Sequence, residues 1–396
     1  MRIVQLSFLL LHLFFCQAFL FAQAEKQTAP SPFVVELQYA AGKIAPVYRQ
    51  FPKSIISNTV EIFWGYQTYG KQRWNKPFNY PRMGISTIFQ ELGNDQKLGQ
   101  QISLVPTVYF STAKKENAKF FAEIRYGLGL AFFTNPYNAV TNRDNKGAGS
   151  KFTWQFVVGA NLRWNISKQV GLQLGAVMYH ASNAHTQLPN VGVNNFAFTV
   201  GLLAYPFGRM ARNHLLDSTA IDKKFHINFR FGSGWHERGS AFGPVGGKKY
   251  PVYTAAIYAS RLTGKIFLLK AGIIYRYYPM YESFNKDNQV FSSKQKLNAS
   301  AFIIFLGNEF MLGHFSINLE AGINVFKPAY KAFNNYYEKS TAFNYYSKQY
   351  LATRFGINYY LFDPYKHPRN NIFMGAAVSA NFGQAEFLEL NLGYVY

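Results

Sequence analysis

The feature that most constrains this chain is a recurring segment of about ten residues in which polar and apolar positions alternate and the ends are aromatic. The stretch from Leu388 to Tyr396 is one case: Leu388, Leu390, Leu392, Tyr394 and Tyr396 fall on even positions, with Glu389 and Asn391 between them. A period of two is that of a β-strand, whose successive side chains point to opposite faces. After residue 24 no apolar run reaches the ~20 residues that a membrane-crossing helix needs. Many short alternating segments with aromatic ends form instead the pattern of a transmembrane β-barrel, in which one face of each strand meets lipid and the other a polar interior. The composition agrees: 39 Phe, 28 Tyr and 31 Gly, only 15% charged residues, and a mean hydropathy of −0.12. The expected fold is all-β, an antiparallel barrel of outer-membrane type. The aromatic end at Tyr396 reads as a closing strand.

Residues 1–24 read as a signal peptide. Arg2 gives the positive start, Leu6 to Phe21 the apolar run, and Ala22-Gln23-Ala24 the small-residue cleavage site. Export to the outer membrane of a Gram-negative-type cell follows. Cys16 is the only cysteine and lies inside this segment, so the exported chain has neither disulfides nor thiolate metal sites. Basic residues outnumber acidic ones by 41 to 19. In a soluble protein that excess would point to nucleic acid. In an outer-membrane barrel the nearer polyanion is lipopolysaccharide, whose phosphates attract Lys and Arg in the loops, and no nucleic-acid partner is expected.

Sixteen strands are expected in two sets of eight. The first set lies near 33–41, 58–67, 80–92, 99–112, 119–132, 152–165, 169–182 and 195–207. The second lies near 225–235, 251–262, 265–278, 295–307, 312–326, 346–362, 371–382 and 386–396. A polar connector, 208–224, carrying Arg209, Arg212, Asp217, Asp222, Lys223 and Lys224, separates a barrel set at 25–207 from one at 225–396. Short connections at Asn165–Lys168, Thr263–Lys265 and Gly307–Leu312 alternate with long ones at Thr134–Lys151, Glu282–Lys294 and Lys327–Tyr345. Short periplasmic turns and long external loops are usual in this class. One barrel of sixteen would hold a porin-sized lumen; two of eight would be filled by side chains. The connector favours two. So does a weak repeat, Gly175-Ala176-Val177-Met178 against Gly375-Ala376-Ala377-Val378, at an offset of 200 that makes the second half a degenerate copy and maps His180 to Ala380 and Ser182 to Phe382.

Chemistry concentrates at His180-Ala181-Ser182-Asn183-Ala184, followed by Leu188-Pro189-Asn190-Val191-Gly192. On a strand, His180 and Ser182 share a face about 7 Å apart at the backbone, which sets a base beside a nucleophile. Even positions of that strand read Val170, Leu172, Leu174, Ala176, Met178, His180 and Ser182, the more continuously apolar row, and this row is assigned to lipid. The alternation of loops makes the strand run outward. His180 and Ser182 then face the outer leaflet near headgroup depth, where polar groups suggest function.

The sequence His180-x-Ser182-Asn183-Ala184 with Pro189-Asn190-x-Gly192 resembles the outer-membrane lipid A 3-O-deacylases, a family of acyloxyacyl-hydrolase-like barrels, over about residues 33–207. The resemblance implies a serine esterase that hydrolyses an ester-linked acyl chain of lipid A or a similar outer-leaflet lipid, without a cofactor. It implies Ser182 as nucleophile, His180 as general base, and Asn183 and Asn190 at the oxyanion. The family places a carboxylate, usually Glu, fourteen residues after the histidine; here that position is Asn194, which orients the ring without offsetting its charge. The alternative reading is a non-catalytic barrel, either a porin-like channel or a scaffold. His314-Phe315-Ser316 repeats the spacing but lacks the following Asn and reads as a chance match. His185 is expected as a loop residue contacting phosphate. His226 and His236, with no acidic companion at ligand spacing, give no metal site.

Overall fold

The structure is a computed structural model that describes residues 31–213, 222–243 and 245–396; the signal-peptide segment lies outside the described residues, as does the middle of the connector. The chain divides into two compact units. In the first, strands β1 (Phe33–Ala45), β2 (Ser57–Gln67), β3 (Arg82–Glu91), β4 (Gln100–Ser111), β5 (Phe120–Phe133), β6 (Phe152–Asn165), β7 (Val170–Ser182) and β8 (Val193–Ala204) form a closed barrel. Each pairs antiparallel with its sequence neighbour, and β1 pairs with β8 to close the ring, Lys43 opposite Phe196 and Ala45 opposite Asn194.

The second unit is also a closed barrel, of β9 (Phe225–Glu237), β10 (Lys249–Thr263), β11 (Phe267–Tyr277), β12 (Ser300–Leu312), β13 (Phe315–Phe326), β14 (Leu351–Tyr360), β15 (Asn371–Asn381) and β16 (Gln384–Val395). It includes the segment Ala184–Asn190 as well. Short helices at Pro279–Asp287, Gln295–Asn298, Pro328–Phe333 and Ala342–Tyr350 fill its long loops. No described helix is long and apolar enough to cross a membrane. Two barrels of eight, not one of sixteen, is therefore the architecture.

Alternation explains both walls. Outward positions carry large apolar side chains with nothing against them, such as Leu174, Phe198, Leu162 and Ile124 in the first barrel and Leu306, Ile323 and Leu392 in the second. Inward positions carry charge. Arg82 reaches Glu36 and Glu123 at 2.7 Å each, and Arg125 reaches Glu61 at 2.9 Å. In the second barrel Arg230 meets Glu320 at 2.6 Å, and Lys270 meets Glu309 and Glu320 at 2.8 Å. These ions are fully enclosed. Each is stable there only because its counter-charge comes from another strand of the same ring.

Three expectations about the second half need correction. The short turn expected at Gly307–Leu312 lies instead at Gly313 and His314, with Gly313 at φ +76°. Asn308-Glu309 looks like a polar turn in sequence, yet Glu309 points inward to Lys270, and Ser316 Oγ and Tyr360 OH both donate to it. The starts expected for two strands, at 295 and 346, are helical: 295–298 and the end of Ala342–Tyr350. The offset of 200 matches position and parity, since β7 and β15 are each the seventh strand of their ring and Ala176 and Ala376 both lie in outward rows.

Candidate active site

Strand β7 fixes the geometry. Gln173, Val177, Tyr179 and Ala181 are buried in the lumen, while Leu174 and Ala176 are exposed. His180 and Ser182 continue the exposed row, so both project from the outer wall, as parity predicts. Strand β8 runs antiparallel beside it with Asn194 directly opposite His180. Asn194 belongs to the row of Phe196, Phe198 and Val200, all exposed. Across that register His180 Nδ1 and Asn194 Oδ1 lie 2.6 Å apart. On the other side Ser182 is opposite Trp154 of β6.

The loop motif has a physical reason. Gly192 sits at φ +88°, and a Cβ placed there would come 3.0 Å from His180 Cε1. Only glycine lets the chain turn back over the imidazole at this position. Its N–H is held by Gly147 O at 3.0 Å, and the N–H of Val191 by Lys146 O at 3.0 Å, so the β5–β6 loop pins the motif's end. Asn183 is buried, and its Nδ2 donates to Ser150 Oγ at 3.1 Å; Ser150, from the same loop, carried no sequence signal. Asn190 is buried within the second unit, where its backbone N–H donates to Ala241 O at 2.8 Å.

Beside the pair, on the same outward face, lies a groove of about 540 Å³ lined by Ala41, Gly42, Lys43, Ile56, Ala176 to Met178 and Phe196 to Phe198. Small residues, Ala41, Gly42 and Ala176, make its floor. Phenylalanines make its side. The groove is apolar and starts one register step from His180.

Other candidates fall elsewhere. His185 does not reach out to a phosphate: its Nε2 is 3.2 Å from Gly239 O within the second unit, and burial holds the ring below the usual histidine range. His226 does have an acidic neighbour, Asp222, whose Oδ2 is 3.5 Å from its Nε2. Ser316 is buried, donating to Glu309 at 2.6 Å, while His314 sits in a turn against Tyr360 O.

Residues 58–202 match the family model described as lipid A 3-O-deacylase (PagL). The first barrel belongs to the lipid A 3-O-deacylase family. Residues 224–365 match a second model, acyloxyacyl hydrolase, C-terminal domain, so the second barrel carries a family domain of its own. No curated protein matches. Among solved structures, the outer-membrane enzyme PagL is 17% identical with a TM-score of 0.32, over 42% of this chain and 97% of that one. Neisserial surface protein A is 12% identical with a TM-score of 0.30, over 45% and 99%. The two family models support an acyl hydrolase, carried on closed eight-strand barrels.

Proposed function

We propose that the first barrel removes an ester-linked acyl chain from lipid A, or from a similar outer-leaflet lipid, with a serine nucleophile. The observation that carries this reading is the 2.6 Å contact between His180 and Asn194 on the outward wall, with Ser182 in the same row and the apolar groove adjoining. An amide oxygen only accepts, so the Nδ1 that meets it carries the ring's proton and Nε2 keeps its lone pair. Ser182 Oγ attacks the ester carbonyl while its proton passes to Nε2. The sugar oxygen leaves with that proton, and an acyl-serine remains. Water then gives a proton to Nε2 and attacks the acyl carbonyl, which releases the fatty acid and restores Ser182. Asn183 and Asn190, which match the family's motif, are assigned to the oxyanion, where each donor is worth about 10²–10³ in kcat.

The site faces the apolar surround of the barrel, so it works with the barrel held in a membrane or a micelle, and the leader at 1–24 is the proposed export signal. The test is mass spectrometry of lipid A from Gram-negative cells that express the protein. Wild type is expected to shorten lipid A by one hydroxyacyl chain and Ser182→Ala to leave it intact. A wild-type protein that alters no lipid sinks the esterase reading. The second reading, a non-catalytic channel or scaffold, would be favoured by conductance in planar bilayers without ester cleavage. The ion pairs that fill both interiors, Arg125–Glu61 and Arg230–Glu320 among them, argue against a water-filled pore.

A further inference from the structure

We propose that Lys43 is a specificity residue whose ammonium binds the phosphate of the lipid being cleaved; the proposal rests on the esterase reading above. Lys43 is exposed on β1 and lines the same groove that adjoins the catalytic pair. The outward rows of β1, β7 and β8 hold no other Lys, Arg, Asp or Glu. A charge in a lipid-facing row is costly, and where one persists it marks a function.

Register places it. Lys43 is opposite Phe196, and Phe196 is opposite Met178; one step outward, Ala45 is opposite Asn194 and Asn194 opposite His180. With strands about 4.8 Å apart and about 3.4 Å per residue, the Lys43 and His180 backbones are separated by roughly 12 Å. Strand β1 runs toward the same rim as β7, so a lysine stem that snorkels toward headgroup depth carries its ammonium up toward His180. An ester held at Ser182 with its acyl chain in the groove then leaves the headgroup over Lys43. An ammonium matches a phosphate there through charge-assisted hydrogen bonds from three donors. Two sources offer that phosphate, the substrate's own headgroup and a neighbouring phospholipid, and the ammonium is assigned to the first.

The experiment uses the full chain in neutral detergent micelles, where the substrate carries the only phosphate. Lipid A and its dephosphorylated form are compared for wild type, Lys43→Met and Lys43→Arg. Lys43→Met is expected to raise KM for lipid A about tenfold with kcat unchanged, the scale of one charged hydrogen bond. The dephosphorylated lipid should show no change, and Lys43→Arg should keep the wild-type preference. Equal losses on both lipids, or none on either, overturn the proposal. So does relief of the wild-type preference by added phosphatidylglycerol, which would assign the ammonium to a neighbouring lipid. If wild type cleaves neither substrate, the esterase reading fails separately. Lys43 is then judged by equilibrium binding of lipid A to Ser182→Ala with and without Lys43→Met. A tenfold weakening supports the site and equal binding overturns it.

Discussion

The resemblance implies a carboxylate where this chain has Asn194, and the geometry there bears on what an amide can still do for the proposed site. The contact to His180 Nδ1 survives at 2.6 Å, so the ring stays oriented. In the proposed mechanism the amide leaves the imidazolium without a negative charge beside it, and in serine hydrolases the same exchange of acid for amide costs about 10⁴ in kcat. Restoring the acid with Asn194→Glu is therefore expected to raise kcat at least tenfold with little change in KM. Steady-state kinetics on a detergent-solubilised ester checks this, and an unchanged kcat would mean that Asn194 does not act on His180. That His180 and Asn194 meet, with Ser182 in the same row as His180, was legible because strand parity and antiparallel register are properties of sequence order. The Asn183–Ser150 bond was not, since Ser150 comes from a loop whose path no period dictates. Lys43 was missed for another reason: its neighbours on β8 are set only when the first and last strands of the ring meet.

At the level of the strand, alternation was a sound guide wherever both faces of a segment obeyed it. It failed where an inward charge imitated a turn. Asn308-Glu309 has the composition of a loop, but a charge with a buried lysine opposite belongs in a barrel wall, and only the partner strand reveals the lysine. Residues 295–298 and 342–350 are helical, with Ser347 their one buried side chain, and nothing of period two records that. The groove between β7, β8 and β1 follows from small residues, Ala41 and Ala176, in the outward rows of β1 and β7, beside Phe196 and Phe198 of β8. Filling it with Ala176→Phe is expected to raise KM for long-chain esters about tenfold, the scale of a side chain's worth of buried apolar surface. Hydrolysis of a short water-soluble ester should be unaffected. If both substrates suffer alike, the groove does not hold the acyl chain.

For the whole molecule, each ring has its own enclosed set of ions, so the chain has two cores. Two unfolding steps are expected in urea with lipid present. Arg125→Met leaves Glu61 without its counter-charge, with only the Tyr179 hydroxyl still donating to it, and should weaken the first barrel by about 3–5 kcal/mol, while Lys270→Met should act on the second by a similar amount. Circular dichroism during the titration tests this. A single shared transition that both variants move equally would contradict it. That there are two rings was foreshadowed by the polar connector and the matched tetrapeptides, but their interiors were not, because ion pairs across a lumen join strands far apart in sequence. The amide at Asn194 has a further consequence for assembly. A wall that carries a carboxylate beside its histidine must strip hydration from an anion each time the newborn barrel slides into the bilayer. This wall brings only a neutral amide at that place, which spares it that cost.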